Sequence, residues 1–389
     1  MEIDLERLIS DVVTLSNHVH MKQTPSGVKR NLTNLVSYVS MLENLSGYSI
    51  DLDRIFFDGE GATRTYNKFR DRKYDDFYKY VKDNLPAILE MFYNYDCMMK
   101  DIPFEDYYSV RNFRRFSEKD FKDIVLSYYA SCSESTYKKV KQLFDEKRVS
   151  VATNRAYNFS QYISSPALES GYVLCDYDEF NTQSMAALVH ELGHMLDYMN
   201  LYVTQGKTYS VADDVLLEVA SVGREYDFLN YLIQHKIDPI SARILINNLV
   251  IETFDGYEYS SLLDGSGNVV LMEKSDFAKK NSEEDSEPDS EEEYDEESYT
   301  YFIDKEQFRL RLLYALGNYF AFHLYEIKKQ NPKEYEKIFH NLISTRKECK
   351  SILESIDKLG ISSELFLSSR MIDEPIRTNS MELRKKFKY

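Results

Sequence analysis

Asn181-Thr182-Gln183-Ser184-Met185-Ala186-Ala187-Leu188-Val189-His190-Glu191-Leu192-Gly193-His194-Met195-Leu196 is the stretch that decides how this chain is read. Gln183 to Val189 leads in without Gly or Pro, and Met195-Leu196 continues an apolar side, so the segment is expected to be a helix. Asn181 and Thr182 are suitable N-caps, because a short polar side chain there can accept from the free backbone N–H groups of the first turn. Residues four apart lie on one helix face about one turn from each other, so His190 and His194 can grip a single metal ion. Glu191 leans toward the open side of that ion, where its carboxylate can take a proton from water as a general base. The bland alternative is a buried helix whose two histidines merely hydrogen-bond to their neighbours.

A zinc site that keeps one position open needs a third protein ligand. The next amphipathic run, Asp213-Asp214-Val215-Leu216-Leu217-Glu218-Val219-Ala220-Ser221-Val222-Gly223-Arg224-Glu225, starts acidic and continues to about Gln234. Asp214, Glu218, Ser221 and Glu225 fall on one face of it. Glu218, one turn inside the helix, has the better reach and is the first choice. Asp214, near the helix start, is the second, and is better suited to capping the helix or holding a ligand histidine. Two other kinds of His-Glu-x-x-His site are excluded. One needs Gly three and His six positions after His194, where this chain has Asp197 and Asn200. The aminopeptidase kind carries a Gly-x-Met-Glu-Asn element, which is absent.

His190-Glu191-Leu192-Gly193-His194 followed by Glu218-Val219-Ala220-Ser221-Val222-Gly223-Arg224-Glu225 resembles the oligoendopeptidase F and thimet oligopeptidase family of zinc metallopeptidases. The resemblance implies Glu218 as third zinc ligand, in agreement with its reach. Upstream, Ser165 to Tyr177 resembles the family's Gly-rich loop and the strand that lines the cleft and pairs with bound peptide. Read from its own residues, Gly171 to Tyr177 is a short half-buried strand whose exposed edge could add a substrate strand, or an ordinary core strand. Tyr314-Ala315-Leu316-Gly317-Asn318-Tyr319 resembles the family's late helix, in which tyrosine hydroxyls face the metal. The resemblance therefore implies Tyr314, or else Tyr319, as donor to the oxyanion of a tetrahedral intermediate. Asp197, Ala187 and Ala220 depart from the family pattern, but none of them removes a ligand or the base. The likeness is carried by residues 150 to about 330.

The expected fold is mainly α, with two helical lobes around a cleft and a small β-sheet beside the zinc helix. Helical periodicity runs over 3–17, 28–46, 73–100, 117–131 and 134–147, with Ser117 and Ser133 as caps, giving an N-terminal helical lobe over 1–148. The catalytic region is then 149–389. Val149 to Ile163 has the β-branched and aromatic content of strands, and helices are expected at about 304–329, 332–345 and 347–358. An insertion at about 255–300 divides this region. It holds a β-hairpin around Asp264-Gly265-Ser266-Gly267-Asn268 and the stretch 281–298, with eleven acidic residues and no basic one, which reads as a disordered solvated loop or a guide for basic peptides.

The formal net charge of −17 argues against a nucleic-acid partner, since phosphate binding needs a basic surface. Cys97, Cys132, Cys175 and Cys349 are scattered, form no Cys-x-x-Cys pair and are expected to be reduced, buried thiols. No apolar run approaches membrane-spanning length, and the acidic first residues do not suit a secretory leader, so no membrane partner and a cytoplasmic location are expected. His18, His20, His235, His323 and His340 lack ligand spacing. The sequence thus points to one Zn2+ bound by His190, His194 and Glu218, with Glu191 as base and oligopeptides as substrates. A zinc-stapled peptide binder without activity, or an endopeptidase dedicated to one protein, are the alternatives.

Overall fold

The computed structural model describes residues 2–20, 25–50, 113–152, 160–177, 179–199, 211–249 and 305–344, together with the isolated positions 76, 77, 79, 81, 83 and 354. Its elements are α1 (Leu5–His20), α2 (Pro25–Ser46), α3 (Glu118–Cys132), α4 (Glu134–Asp145), β1 (Val149–Val151), β2 (Gln161–Ser165), β3 (Ser170–Cys175), α5 (Thr182–Tyr198) and α6 (Val211–Gln234). Helical residues 239–249, α7 (Lys305–Gln330) and α8 (Pro332–Ser344) follow. Among the described residues the protein is mainly helical with one small sheet, as expected. The hairpin and acidic stretch of the insertion, the 347–358 helix, and all but a few positions of the 73–100 helix lie outside the described residues.

The capping residues behave as their chemistry predicts. Ser117 accepts from the backbone N–H of Asp120, and Ser133 both ends α3 and caps α4 by accepting from Thr136. Asn181 and Ser184 form a reciprocal capping box at the start of α5, with Ser184 in the position more often held by Glu or Gln.

The sheet order is β1-β3-β2, with β1 parallel and β2 antiparallel to β3. Side chains alternate across a strand, and β3 uses both faces. Val173 and Cys175 join the main core with α3 to α8, whereas Tyr172 and Leu174 join a smaller core with α1 and α2. Arg148 ties these layers together. Its guanidinium lies 2.7 Å from Asp11 of α1 and 4.8 Å above the Tyr172 ring, and Tyr172 donates its hydroxyl to the same Asp11 at 2.8 Å. This topology selects between two expectations, favouring the ordinary core strand over the exposed edge. The Gly171 to Tyr177 strand presents no free edge over Val173 and Leu174, because β1 and β2 pair with it from both sides there. Among the described residues, the outer edges of the sheet belong to β1 and β2.

α5 runs through the main core with nearly all of its residues buried, which its apolar content on every side permits. It packs on β2, β3 and α6, and α6 packs in turn on α7. Cys175 is buried as expected, but Cys132 is exposed, because it ends α3 at the surface. Among the described residues, no helix is long and apolar enough to cross a membrane.

Candidate metal centre

Three side chains chosen from the sequence converge. His190 Nε2 and His194 Nε2 are 3.0 Å apart, His194 Nε2 is 3.3 Å from Glu218 Oε1, and His190 Nε2 is 3.4 Å from Glu218 Oε2. Ligand atoms about 2.1 Å from a tetrahedral zinc ion stand about 3.4 Å from one another, so the donor set fits the ion in chemistry and in spacing. All three residues are buried. Glu218 Oε2 is enclosed and, despite its proximity to His190, makes no aligned hydrogen bond. A dication would satisfy that orphaned oxygen. The side chain of Asp214, the second choice for this role, lies outside the described residues.

The electrostatics favour positive charge at this point. Burial alone would lower the His190 imidazole, but the Glu218 and Glu225 carboxylates beside it hold it well above its ordinary value. Burial would raise the Glu218 carboxyl, yet His194 and His190 hold it far below the usual carboxylate range. Burial raises the Glu191 carboxyl, with partial relief from the two histidines. Glu191 sits one residue past His190 and is 6% exposed. It is close enough to Cys175 at the end of β3 to add to the burial that raises that thiol.

The surroundings fix each ligand in place. Glu225, seven residues after Glu218 and so on the same face of α6, meets His190 Nδ1 at 3.2 Å. The sequence places Glu225 on that face but assigns the orienting role to Asp214, and only the packing of α6 on α5 shows which carboxylate arrives. Tyr162 of β2 stacks on His194 with ring centroids 5.1 Å apart and planes at 25°, a contact across the fold that no local signal announces. Tyr129 donates its hydroxyl to the carbonyl of Val189 at 3.2 Å, fixing the helix one residue before the first ligand.

Two glycines permit the close approach. A Cβ at Gly317 of α7 would stand 2.5 Å from Glu218 Cβ, so only a bare Cα there lets α7 press on the helix that carries Glu218. A Cβ at Gly193 would meet Arg224 Cδ at 2.9 Å and Ser221 Cα at 3.2 Å. Arg224 in turn pairs with Asp197 at 2.7 Å, both buried, locking α5 to α6 just beyond His194.

Of the two tyrosines, the structure brings Tyr314 beside the metal centre, its ring centroid 6.2 Å from that of His190. Tyr319 is five residues further on and therefore on another side of α7. It is buried against Phe320 and His323.

No family model and no curated protein matches the chain. The chain's likeness to solved structures includes a protein from Bacillus anthracis str. Ames assigned as an oligoendopeptidase F (TM-score 0.47, 10% identity, covering 98% of this chain and 74% of that one). It also includes PZ peptidase A with an inhibitor (0.46, 11%, 98% and 76%). A third is a protein from Chlamydophila abortus assigned as a peptidase (0.43, 14%, 98% and 63%).

Proposed function

We propose that this chain is a zinc-dependent peptidase that hydrolyses oligopeptides. The observation that carries the reading is the convergence of His190, His194 and the Glu218 carboxylate, with Glu191 on the same buried turn of α5. A zinc ion held by these three side chains supplies Lewis-acid polarisation of a peptide carbonyl and makes water acidic enough to attack at neutral pH.

The chain's own residues do the rest. Glu191 accepts the proton of the attacking water and then delivers it to the leaving amine nitrogen, so one carboxyl serves both half-steps. Tyr314 donates its phenolic hydrogen to the oxyanion that develops on the carbonyl oxygen. Glu225 accepts from His190 Nδ1, which leaves Nε2 as the lone-pair donor and fixes the ring's rotation. Tyr162 covers one face of His194 and limits water there. Its strand, β2, is the sheet edge beside the metal centre. An extended peptide pairing with that edge would lie across the reacting groups.

The deciding experiment incubates a diverse peptide mixture with zinc-loaded protein, beside the Glu191→Gln variant, and reads the products by mass spectrometry. Cleavage by the natural chain alone supports the proposal and begins to map specificity. Absence of cleavage by both, with zinc measured as bound, rejects general oligopeptidase activity and favours a binder or a protease dedicated to one protein.

A further inference from the structure

α6 carries a second set of polar side chains on a face turned away from Glu218. Arg224, Asp227, Tyr231 and Gln234 recur there at helical spacing and line a cavity of about 460 Å³, closed by the end of α3 and by the α7–α8 junction. This volume lies within the range of about 300–1,000 Å³ usual for small-molecule sites. Four aromatic rings stand in its otherwise polar walls. Tyr335 and Phe339 stack with centroids 5.4 Å apart, and Tyr128 meets Tyr231 edge-on at 5.7 Å.

The charges in this cavity are of both signs. The Arg224 side chain is 9% exposed; it spends Nη2 on Asp197 and lies with its guanidinium carbon 5.3 Å from the Phe339 ring centre. A guanidinium has five N–H donors; Arg224 Nε is enclosed and is not the group that a ligand in the cavity would meet. Lys328 sits 4.9 Å over the Tyr335 ring and pairs with Asp227, and Glu336 adds a second carboxylate to the wall. Arg224 is matched by Asp197 and Lys328 by Asp227, and exposed Glu336 adds a further carboxylate, so the lining has no excess of positive charge to hold a phosphate, while its cations would repel a metal ion. Such a lining suits a ligand that carries both charges on an apolar body.

We propose that this cavity binds a free α-amino acid with an aromatic or large aliphatic side chain. Its carboxylate faces Arg224 and Lys328, its ammonium group faces Asp227 and Glu336, and its side chain lies against Tyr231, Tyr335 and Phe339. The site is separate from the metal centre, although Arg224 joins it to α5 through Asp197. The proposal does not depend on peptidase activity, and binding is measured without turnover.

Cys132 lines the cavity and is exposed, so its alkylation reports occupancy. The full chain is treated with iodoacetamide at a series of L-phenylalanine concentrations, and modification of Cys132 is followed by peptide-resolved mass spectrometry. Buried Cys175 serves as an internal check that the fold is intact. L-phenylalanine should slow the reaction hyperbolically, by about tenfold at a free concentration about ten times its Kd. 3-Phenylpropionate and 2-phenylethylamine, each lacking one charge, should protect less. Ser131→Trp, which fills the cavity mouth from an exposed position, should remove the protection with no change in far-UV circular dichroism. Lys328→Gln should weaken it. The proposal is overturned by unchanged alkylation at millimolar L-phenylalanine, by equal protection from either analogue, or by full protection surviving in both folded variants.

Discussion

Glu191→Gln preserves the size of the side chain and removes only its basicity, so it separates chemistry from architecture. Turnover of peptides should fall by about 10²–10⁴-fold, the usual contribution of a positioned acid–base group, while zinc content measured by mass spectrometry stays at one per chain. A variant that still cleaves at the natural rate removes Glu191 from the mechanism. Tyr314→Phe tests a different interaction. Loss of one donor to the oxyanion costs about 3 kcal/mol of barrier, or about a hundredfold in turnover, with zinc affinity unchanged. Equal turnover would reduce Tyr314 to a rim residue. Glu225→Ala should leave both reacting groups in place yet weaken zinc by about 10–100-fold in a chelator competition, because His190 Nδ1 loses its acceptor. If affinity is unaffected, the 3.2 Å contact does not orient the ligand.

At the scale of elements, the candidate metal centre depends on how closely α6 can be approached. Gly317 and Gly193 both sit at helix–helix contacts, but they do not meet the same kind of atom. The Cβ of Gly317→Ala would press on Glu218 Cβ at 2.5 Å and on its backbone carbonyl carbon at 3.2 Å, which can yield only if α6 or α7 shifts. Alanine gains about 1 kcal/mol over glycine in a helix interior, and this clash should outweigh it. Gly317→Ala is therefore expected to lower both the melting temperature and the zinc affinity. Gly193→Ala first meets the Arg224 Cδ, part of a flexible side chain, though the Ser221 backbone is also near. Its effect on zinc affinity should be the smaller of the two. The reverse order would show that α5, not α7, sets the seat of Glu218.

Across the whole molecule, polar groups held in the core set the response to acid. Burial lowers the His323 imidazole from its ordinary 6.5 to about 3. An unfolded chain therefore takes up a proton below about pH 6.5 that the folded chain refuses until about pH 3. The stability that neutral His323 permits is complete above that window and is lost as pH falls through it, by about 1.4 kcal/mol per pH unit at the steepest. Urea unfolding of His323→Leu at several pH values should show a flatter acid limb than the natural chain. Parallel curves would mean that His323 is not the group responsible.

The amino-acid sequence by itself determined the local features of this protein. Ser117, Ser133 and Asn181 cap helices where a short polar side chain precedes an apolar run, and the His190–His194 spacing places two imidazoles on one turn, because both follow from the geometry of a single helix. Glu218 was legible by its place one turn inside the next helix. Other features came only from the tertiary structure, since they depend on contacts between residues far apart in the chain. These are Glu225 at His190, Tyr162 stacked on His194, and β3 hidden between two strands rather than open at an edge. Tyr314 is already the first choice from the sequence; that its ring lies beside His190 while Tyr319 packs on Phe320 and His323 depends on the rotation of α7 about its axis. Periodicity states which residues share a face, but only packing states what that face meets.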